Sequence, residues 1–214
     1  MAAACTKSRS KNLGPSQSDE ARRQSGRALS DPVLDRLWRR HGGTSATIGR
    51  YVRYAGHLTE ICVVDPSNSV FFDYYHEGED ELRATPSGVE GIGRPRVEPS
   101  FQPSVGDRMI KVPDVASYAA MHFLKEVTSR QYGGSTGTNL YGAFQLIHEM
   151  AESRREGSVV MLICDGGERC QGTYYSAAWR KEHGFDIEPY LDQLRRFYRT
   201  GEWRSGPLQT QVTR

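Results

Sequence analysis

The chain has only four cysteines, at positions 5, 62, 164 and 170, too few and too scattered for a disulfide scaffold. This usage suits a reducing compartment, and a cytoplasmic location is the expectation. No apolar run approaches the roughly 18 residues that cross a bilayer, so a membrane protein is not expected. Charge excess is also missing: 28 Lys and Arg against 26 Asp and Glu leave a net charge of +2, without the surplus of a dedicated nucleic-acid binder. The six histidines (41, 57, 76, 122, 148 and 183) show no His-x-x-x-His spacing and the cysteines no Cys-x-x-Cys. A structural zinc site is therefore not expected. No internal repeat is present.

What is present suffices for one domain with a real core, since 37% of the residues are hydrophobic. Composition changes near residue 31. Residues 1–31 carry six basic residues against three acidic ones, with much Ser and Ala and almost no large apolar side chain. Such a stretch buries too little surface to offset ordering entropy and reads as a disordered leader. A basic, Ser-rich leader also has the composition of an organelle transit peptide, although Asp19 and Glu20 interrupt that pattern. Residues 32–200 read as an α/β domain and residues 201–214 as a flexible tail.

Within that domain β and α signals alternate. The pattern predicts helices at 44–53, 114–130, 138–154 and 188–198, with 32–40 a short basic helix. It predicts strands at 59–65, 108–112 and 158–164. Asp114 reads as the N-cap of its helix, whose apolar stripe is Ala116, Ala120, Phe123, Leu124 and Val127. The strand at 158–164 is nearly all apolar and is expected at the sheet centre. A mostly parallel sheet flanked by helices follows. Residues 84–107 hold four Pro and four Gly, with Val89, Ile92, Val97 and Phe101 as apolar anchors. We expect an ordered loop packed over a site.

Three glycine-rich turns are candidate ligand contacts. Gly42 and Gly43, followed by Thr44 and Ser45, open a helix, where backbone amides, hydroxyls and the helix dipole suit a phosphate. A plain Gly-Gly turn is the alternative. The run from Gly133 to Asn139 reads as a glycine-rich loop in which Ser135 and Thr136 either cap a helix or meet a ligand. Asp165, in the turn from Cys164 to Cys170, would lie beyond a strand's carboxyl end. Its carboxylate suits a protonated ring nitrogen or a cation; otherwise it is a turn residue paired with Arg169. Cys62 and Cys164 read as core thiols, while a reactive role for Cys170 rests only on its position near the turn. His122 and His148 read as surface or core residues. The aromatic run Phe71, Phe72, Tyr74 and Tyr75 offers base stacking or, with little positive charge nearby, a packed edge or dimer contact.

Taken in order, the runs GGTSATIGRY (42–51), VVDPSNSVFFDYY (63–75), EGIGRP (90–95), GGSTGTN (133–139) and CDGGER (164–169) resemble a known family. They are similar to the C-terminal half of pyridoxal-phosphate cysteine synthases and cysteine desulfhydrases, over about residues 41–185. The resemblance implies part of the large domain of the tryptophan synthase β-like fold, with pyridoxal 5′-phosphate as cofactor. It implies β-replacement or β-elimination on cysteine, serine or O-acetylserine, and a homodimer if a full-length enzyme exists. Carried over residue by residue, it gives Gly42, Gly43 and Thr44 to the phosphate loop, beside Ser45. Gly91 and Gly93 go to the loop on the imine side, and Ser135 and Thr136 to the Gly-x-Ser-Ser-Gly turn. Asp165 takes the position where many relatives place a Ser or similar group against the pyridine nitrogen.

The departures are as informative. The five lysines (7, 11, 111, 125 and 181) all lie outside the context of the family's Schiff-base lysine, so no catalytic residue is assigned. Arg40 and His41 replace the first Gly-Thr of the phosphate loop, and Cys170 stands where a Tyr is usual. The expectation is a truncated form, inactive alone, acting on a small amino acid when complete. The alternative is a non-catalytic fragment or isoform serving as a binding or regulatory partner.

Overall fold

The computed structural model describes residues 3–8, 43–79 and 82–203. In order along the chain these form strand β1 (Ala3–Ser8), helix α1 (Gly43–Tyr54), β2 (Glu60–Pro66), α2 (Phe71–Glu77), β3 (Arg108–Val112) and α3 (Asp114–Thr128). Then follow α4 (Gly134–Glu152), β4 (Ser158–Met161), α5 (Ala177–Glu182) and α6 (Glu188–Thr200).

Strand periodicity divides the core into two layers, because successive side chains point to opposite faces. Cys62 and Val64 of β2, with Ile110 and Val112 of β3, face a cluster built from α3, α4 and α6, including Ala116, Tyr118, Met121, Leu146 and Leu194. Ile61 and Val63, with Met109, face the other way onto Val52, Val70, Phe71 and Phe101. Burial on both faces is what the near-continuous apolar runs encode. The aromatic run resolves as a packed element: Phe71 is fully buried and stacks on Phe101 with ring centroids 4.4 Å apart.

The sheet order is β3-β2-β1-β4. β2 and β3 pair in parallel, with Val64 opposite Ile110 and Asp65 opposite Lys111. β1 pairs antiparallel with both β2 and β4, so β2, β3 and β4 share one direction. Several expectations need correcting here. Residues 3–8 of the expected disordered leader form a strand, because main-chain pairing on both sides does not depend on large apolar side chains. The sheet is mixed rather than mostly parallel in its pairing. The apolar run from 158 ends as a strand at Met161 and lies at an edge, not the centre, with Val160 and Ile163 61% and 57% exposed.

Helix boundaries shift for physical reasons too. Pro113 occupies the N-cap position of α3, and Asp114 is its first residue, with its carboxylate turned to a neighbouring loop. The run Gly134 to Asn139 is helical, not a loop. A Cβ on Gly137 would lie 2.2 Å from the Ser117 carbonyl oxygen, so the missing side chain lets α4 cross close to α3. The expected tail is ordered at its start: Gly201 caps α6 and Trp203 packs on Tyr141, with centroids 5.2 Å apart. The expected helix at 32–40 lies outside the described residues.

One buried carboxyl stands out. Asp65 is wholly buried at the end of β2; its Oδ2 accepts from the Phe72 amide at 3.0 Å, while its Oδ1 has no partner. Lys111, its register neighbour, instead binds both oxygens of Asp73 at 2.8 and 3.0 Å. Burial pushes the Asp65 carboxyl up from 3.8 to about 7, against hydrogen bonds from Ser69 and Phe72. A folded pKa raised above the unfolded one makes its contribution complete below 3.8 and lost as pH rises through about 7. Asp65→Asn should therefore raise the thermal midpoint more at about pH 8 than at about pH 5, measured by circular dichroism. An equal shift at both would contradict this.

Candidate functional site

Because β2, β3 and β4 point one way, their carboxyl ends at Pro66, Val112 and Met161 lie along one edge of the sheet. Ligands of α/β folds collect beyond such an edge. α1 brings its N-terminus to the same edge. Arg53, near its C-terminus, pairs with Asp107 at 3.0 Å, and Asp107 Oδ2 accepts from the amide of Ile61 at the start of β2. The helix thus runs opposite to β2 and places Gly43, Thr44 and Ser45 towards the strand's end. A Cβ on Gly43 would meet nothing within 4 Å, whereas Ser45 of the same turn is buried. Gly42 lies outside the described residues.

The long loop at 84–107 docks on this edge through its backbone. The Gly88 amide donates to Asp114 Oδ2 at 2.7 Å, and Ser87 Oγ to Oδ1 at 3.2 Å. The Glu90 amide donates to Tyr174 Oη at 2.9 Å, and that hydroxyl donates to the Gly88 carbonyl at 2.8 Å. The Arg94 amide donates to Ser69 Oγ at 3.1 Å, and the Val70 amide to the Arg94 carbonyl at 2.9 Å. Val89, Ile92 and Phe101 are buried, and Val97 packs partly buried, as expected of its anchors. Burial pushes the Asp114 carboxyl up, while the bonds from Gly88 and Ser87 pull it back.

Gly91 and Gly93 sit at φ of 88° and 76°, the left-handed region that favours glycine. A Cβ on Gly93 would also lie 2.8 Å from Pro66 Cγ and 2.9 Å from Ser87 Cβ. The loop therefore presses directly on the end of β2.

The start of α4 meets the segment after β4. The Gly133 amide donates to the Asp165 carbonyl at 3.0 Å, and Ser135 Oγ donates to Asp165 Oδ1 at 3.4 Å. Thr136 Oγ1 accepts from the Cys164 amide at 3.0 Å, and Asn139 Nδ2 donates to the Leu162 carbonyl at 2.8 Å. Thr138 Oγ1 donates to Ser117 Oγ at 2.8 Å. Thr136, Thr138 and the Asn139 amide nitrogen are thus spent on internal ties, while Ser135 reaches the exposed Asp165. Asp165 also lines a groove of about 560 Å³ with Lys125, Arg130, Tyr132, Cys164 and Glu168.

The structure joins Ser135 to Asp165 directly. Val89, next to the Gly91–Gly93 turn, reaches the same helix start, since a Cβ on Gly134 would lie 2.7 Å from Val89 Cγ1. Gly43, Thr44 and Ser45 share the sheet edge with these groups through the direction of α1. Burial pushes both the Cys164 and Cys170 thiols up, which does not favour thiolate chemistry. Burial pulls His122 down, and its Nε2 lies 3.1 Å from the Tyr174 carbonyl and 3.0 Å from Arg180. Sequence reasoning missed Tyr174, Ser69 and the loop-holding role of Asp114. Tyr174 reaches a loop 84 residues upstream, and no local pattern announces such a pairing.

Among the described residues no cluster of His, Cys, Asp or Glu could hold a metal ion, and no helix is long and apolar enough to cross a membrane. The fold is that of an α/β protein with a glycine-rich edge at its strand ends. No family model matches the chain. Over 163 residues, 76% of this chain and 44% of the relative, it is 53% identical to the L-cysteine desulfhydrase Cds1 of Mycobacterium tuberculosis. It is 33% identical over 155 residues to a putative pyridoxal-phosphate dependent protein of Caenorhabditis elegans (64% of this chain, 35% of the relative). It is 29% identical over 148 residues to cysteine synthase 1 of Emericella nidulans (67% and 39%). The chain belongs to the pyridoxal-phosphate cysteine synthase and cysteine desulfhydrase family. It spans less than half the length of these curated relatives.

Gly93→Ala should cost about 1–3 kcal/mol in urea unfolding, because it adds left-handed strain to a close contact. An unchanged midpoint would mean the loop is not pressed against β2.

Proposed function

We propose that this chain forms the phosphate-binding and ring-binding part of a pyridoxal-phosphate site for β-elimination or β-replacement on cysteine, serine or O-acetylserine. The observation that carries this reading is the contact of the glycine loop with the start of α4, where Ser135 joins Asp165, at the sheet edge towards which α1 points its first residues. The 53% identity to a cysteine desulfhydrase supports the reaction class.

The residues fit the cofactor by the chemistry of their donors and acceptors. The first amides of α1, with the Thr44 and Ser45 hydroxyls, suit a phosphate at the positive end of a helix dipole. The Asp165 carboxylate can accept a proton-bearing ring nitrogen, with Ser135 Oγ orienting its Oδ1. Gly91 and Gly93 allow the left-handed turns by which the loop brings its backbone to this edge. When bound, pyridoxal phosphate supplies an electron sink for negative charge at Cα, which lets a group leave the neighbouring carbon. Asp165 would keep that ring nitrogen protonated and so strengthen the sink.

None of the five lysines lies in the context that bonds the cofactor covalently in the family. Lys111 is bound to Asp73, and Lys181 lies on α5. We therefore assign no catalytic residue within these 214 residues. The chain's part is binding and tuning.

Fluorescence titration should show reversible binding of pyridoxal phosphate. Asp165→Ala should weaken it by about 1.5–3 kcal/mol, the range of a hydrogen bond to a charged group. Borohydride should leave no lysine labelled at stoichiometry. Stoichiometric labelling of one lysine would overturn the binding-only assignment, and absence of binding would overturn the site.

A further inference from the structure

We propose that Tyr174 is a positioning residue that sets the spacing between the Gly91–Gly93 turn and the start of α4, where Ser135 sits. This rests on the reading of those two segments as ligand contacts. The Tyr174 hydroxyl closes a two-point clip on the residues just before Gly91, donating to the Gly88 carbonyl at 2.8 Å and accepting from the Glu90 amide at 2.9 Å. Its ring stands against α4: a Cβ on Gly134 would lie 3.4 Å from Tyr174 Cε2 and 2.7 Å from Val89 Cγ1. Loop, ring and helix start are therefore in mutual contact at a place with no room for a side chain.

Tyr174 is itself braced from behind. Its ring stacks on fully buried Tyr118, with centroids 4.5 Å apart and planes 18° from parallel. Its carbonyl accepts from Arg180 Nη1 at 2.8 Å and lies 3.1 Å from His122 Nε2. The phenol stays protonated, since burial pushes it up, and so keeps its donor for Gly88. Asp114 and Ser69 tie the loop to the ends of the sheet, whereas Tyr174 ties it to α4. Small displacements in such a braced contact are transmitted, because a close-packed interior has little space to absorb them.

The test uses the full chain and pyridoxine 5′-phosphate, which carries the ring and phosphate without the aldehyde. Tyr174→Phe keeps the ring stack and removes the two hydroxyl bonds. It should lower affinity about tenfold, the size expected for two ordinary hydrogen bonds. It should also speed amide hydrogen exchange at both Glu90 and Ser135. The control is Tyr141→Phe, which removes a buried hydroxyl bonded to Gln193 Oε1 at 2.9 Å, away from the loop, and should leave affinity unchanged. Equal weakening in both variants would mark a general loss of stability and overturn the assignment. Unchanged affinity in Tyr174→Phe, or faster exchange at Glu90 alone, would overturn it as well. A wild-type chain that does not bind the probe overturns the site reading and takes this role with it.

Discussion

The Gly88 amide donates to the half-buried Asp114 carboxylate at 2.7 Å, and two residues later the Glu90 amide donates to Tyr174. On this pair of main-chain bonds the docking of the long loop at the sheet edge depends. A loop with almost no secondary structure of its own has amides that need acceptors, and a typical intramolecular hydrogen bond contributes about 0.5–1.5 kcal/mol net. Asp114, Tyr174 and Ser69 supply those acceptors from three different parts of the fold. The apolar anchors Val89, Ile92 and Phe101 then fill the space beneath. Glycine at 91 and 93 allows the backbone to turn between the anchored points.

Charge follows the same division of labour. The carboxyls that organise the loops, buried Asp65 and half-buried Asp114, accept from the Phe72 and Gly88 amides, and burial pushes both up. The exposed ion pairs, such as Arg53 with Asp107 and Arg155 with Glu60, lie at the other end of β2 and add little each. Asp165, exposed and joined to Ser135, lies beyond the carboxyl end of β4.

Much of this was legible in the sequence where the signal is local. Strand β3 falls where the apolar run at 108–112 puts it, and β2 within one residue of its expected ends. The anchors of the long loop could be read because four apolar residues stand out in a Pro- and Gly-rich stretch. What was not legible depends on partners far away. The run from 158 has the composition of a central strand, but the neighbour it gained is β1, from the other end of the chain, and nothing local reveals an edge. The glycines at 133, 134 and 137 look like a loop, yet they allow close approach to Asp165, Tyr174 and Ser117. The five glycine and polar runs in order carried the family more securely than any one of them, and the similarity to curated relatives supports that reading.

The central claim is that three segments separated in sequence form one ligand site. Amide chemical shifts of the isotopically labelled chain, titrated with pyridoxine 5′-phosphate, test it most directly. The account predicts that the amides of Gly43, Thr44 and Ser45, of Gly91 to Arg94, and of Gly133 to Ser135 shift together along one binding curve. Shifts confined to the start of α1, or separate curves for the three segments, would contradict it.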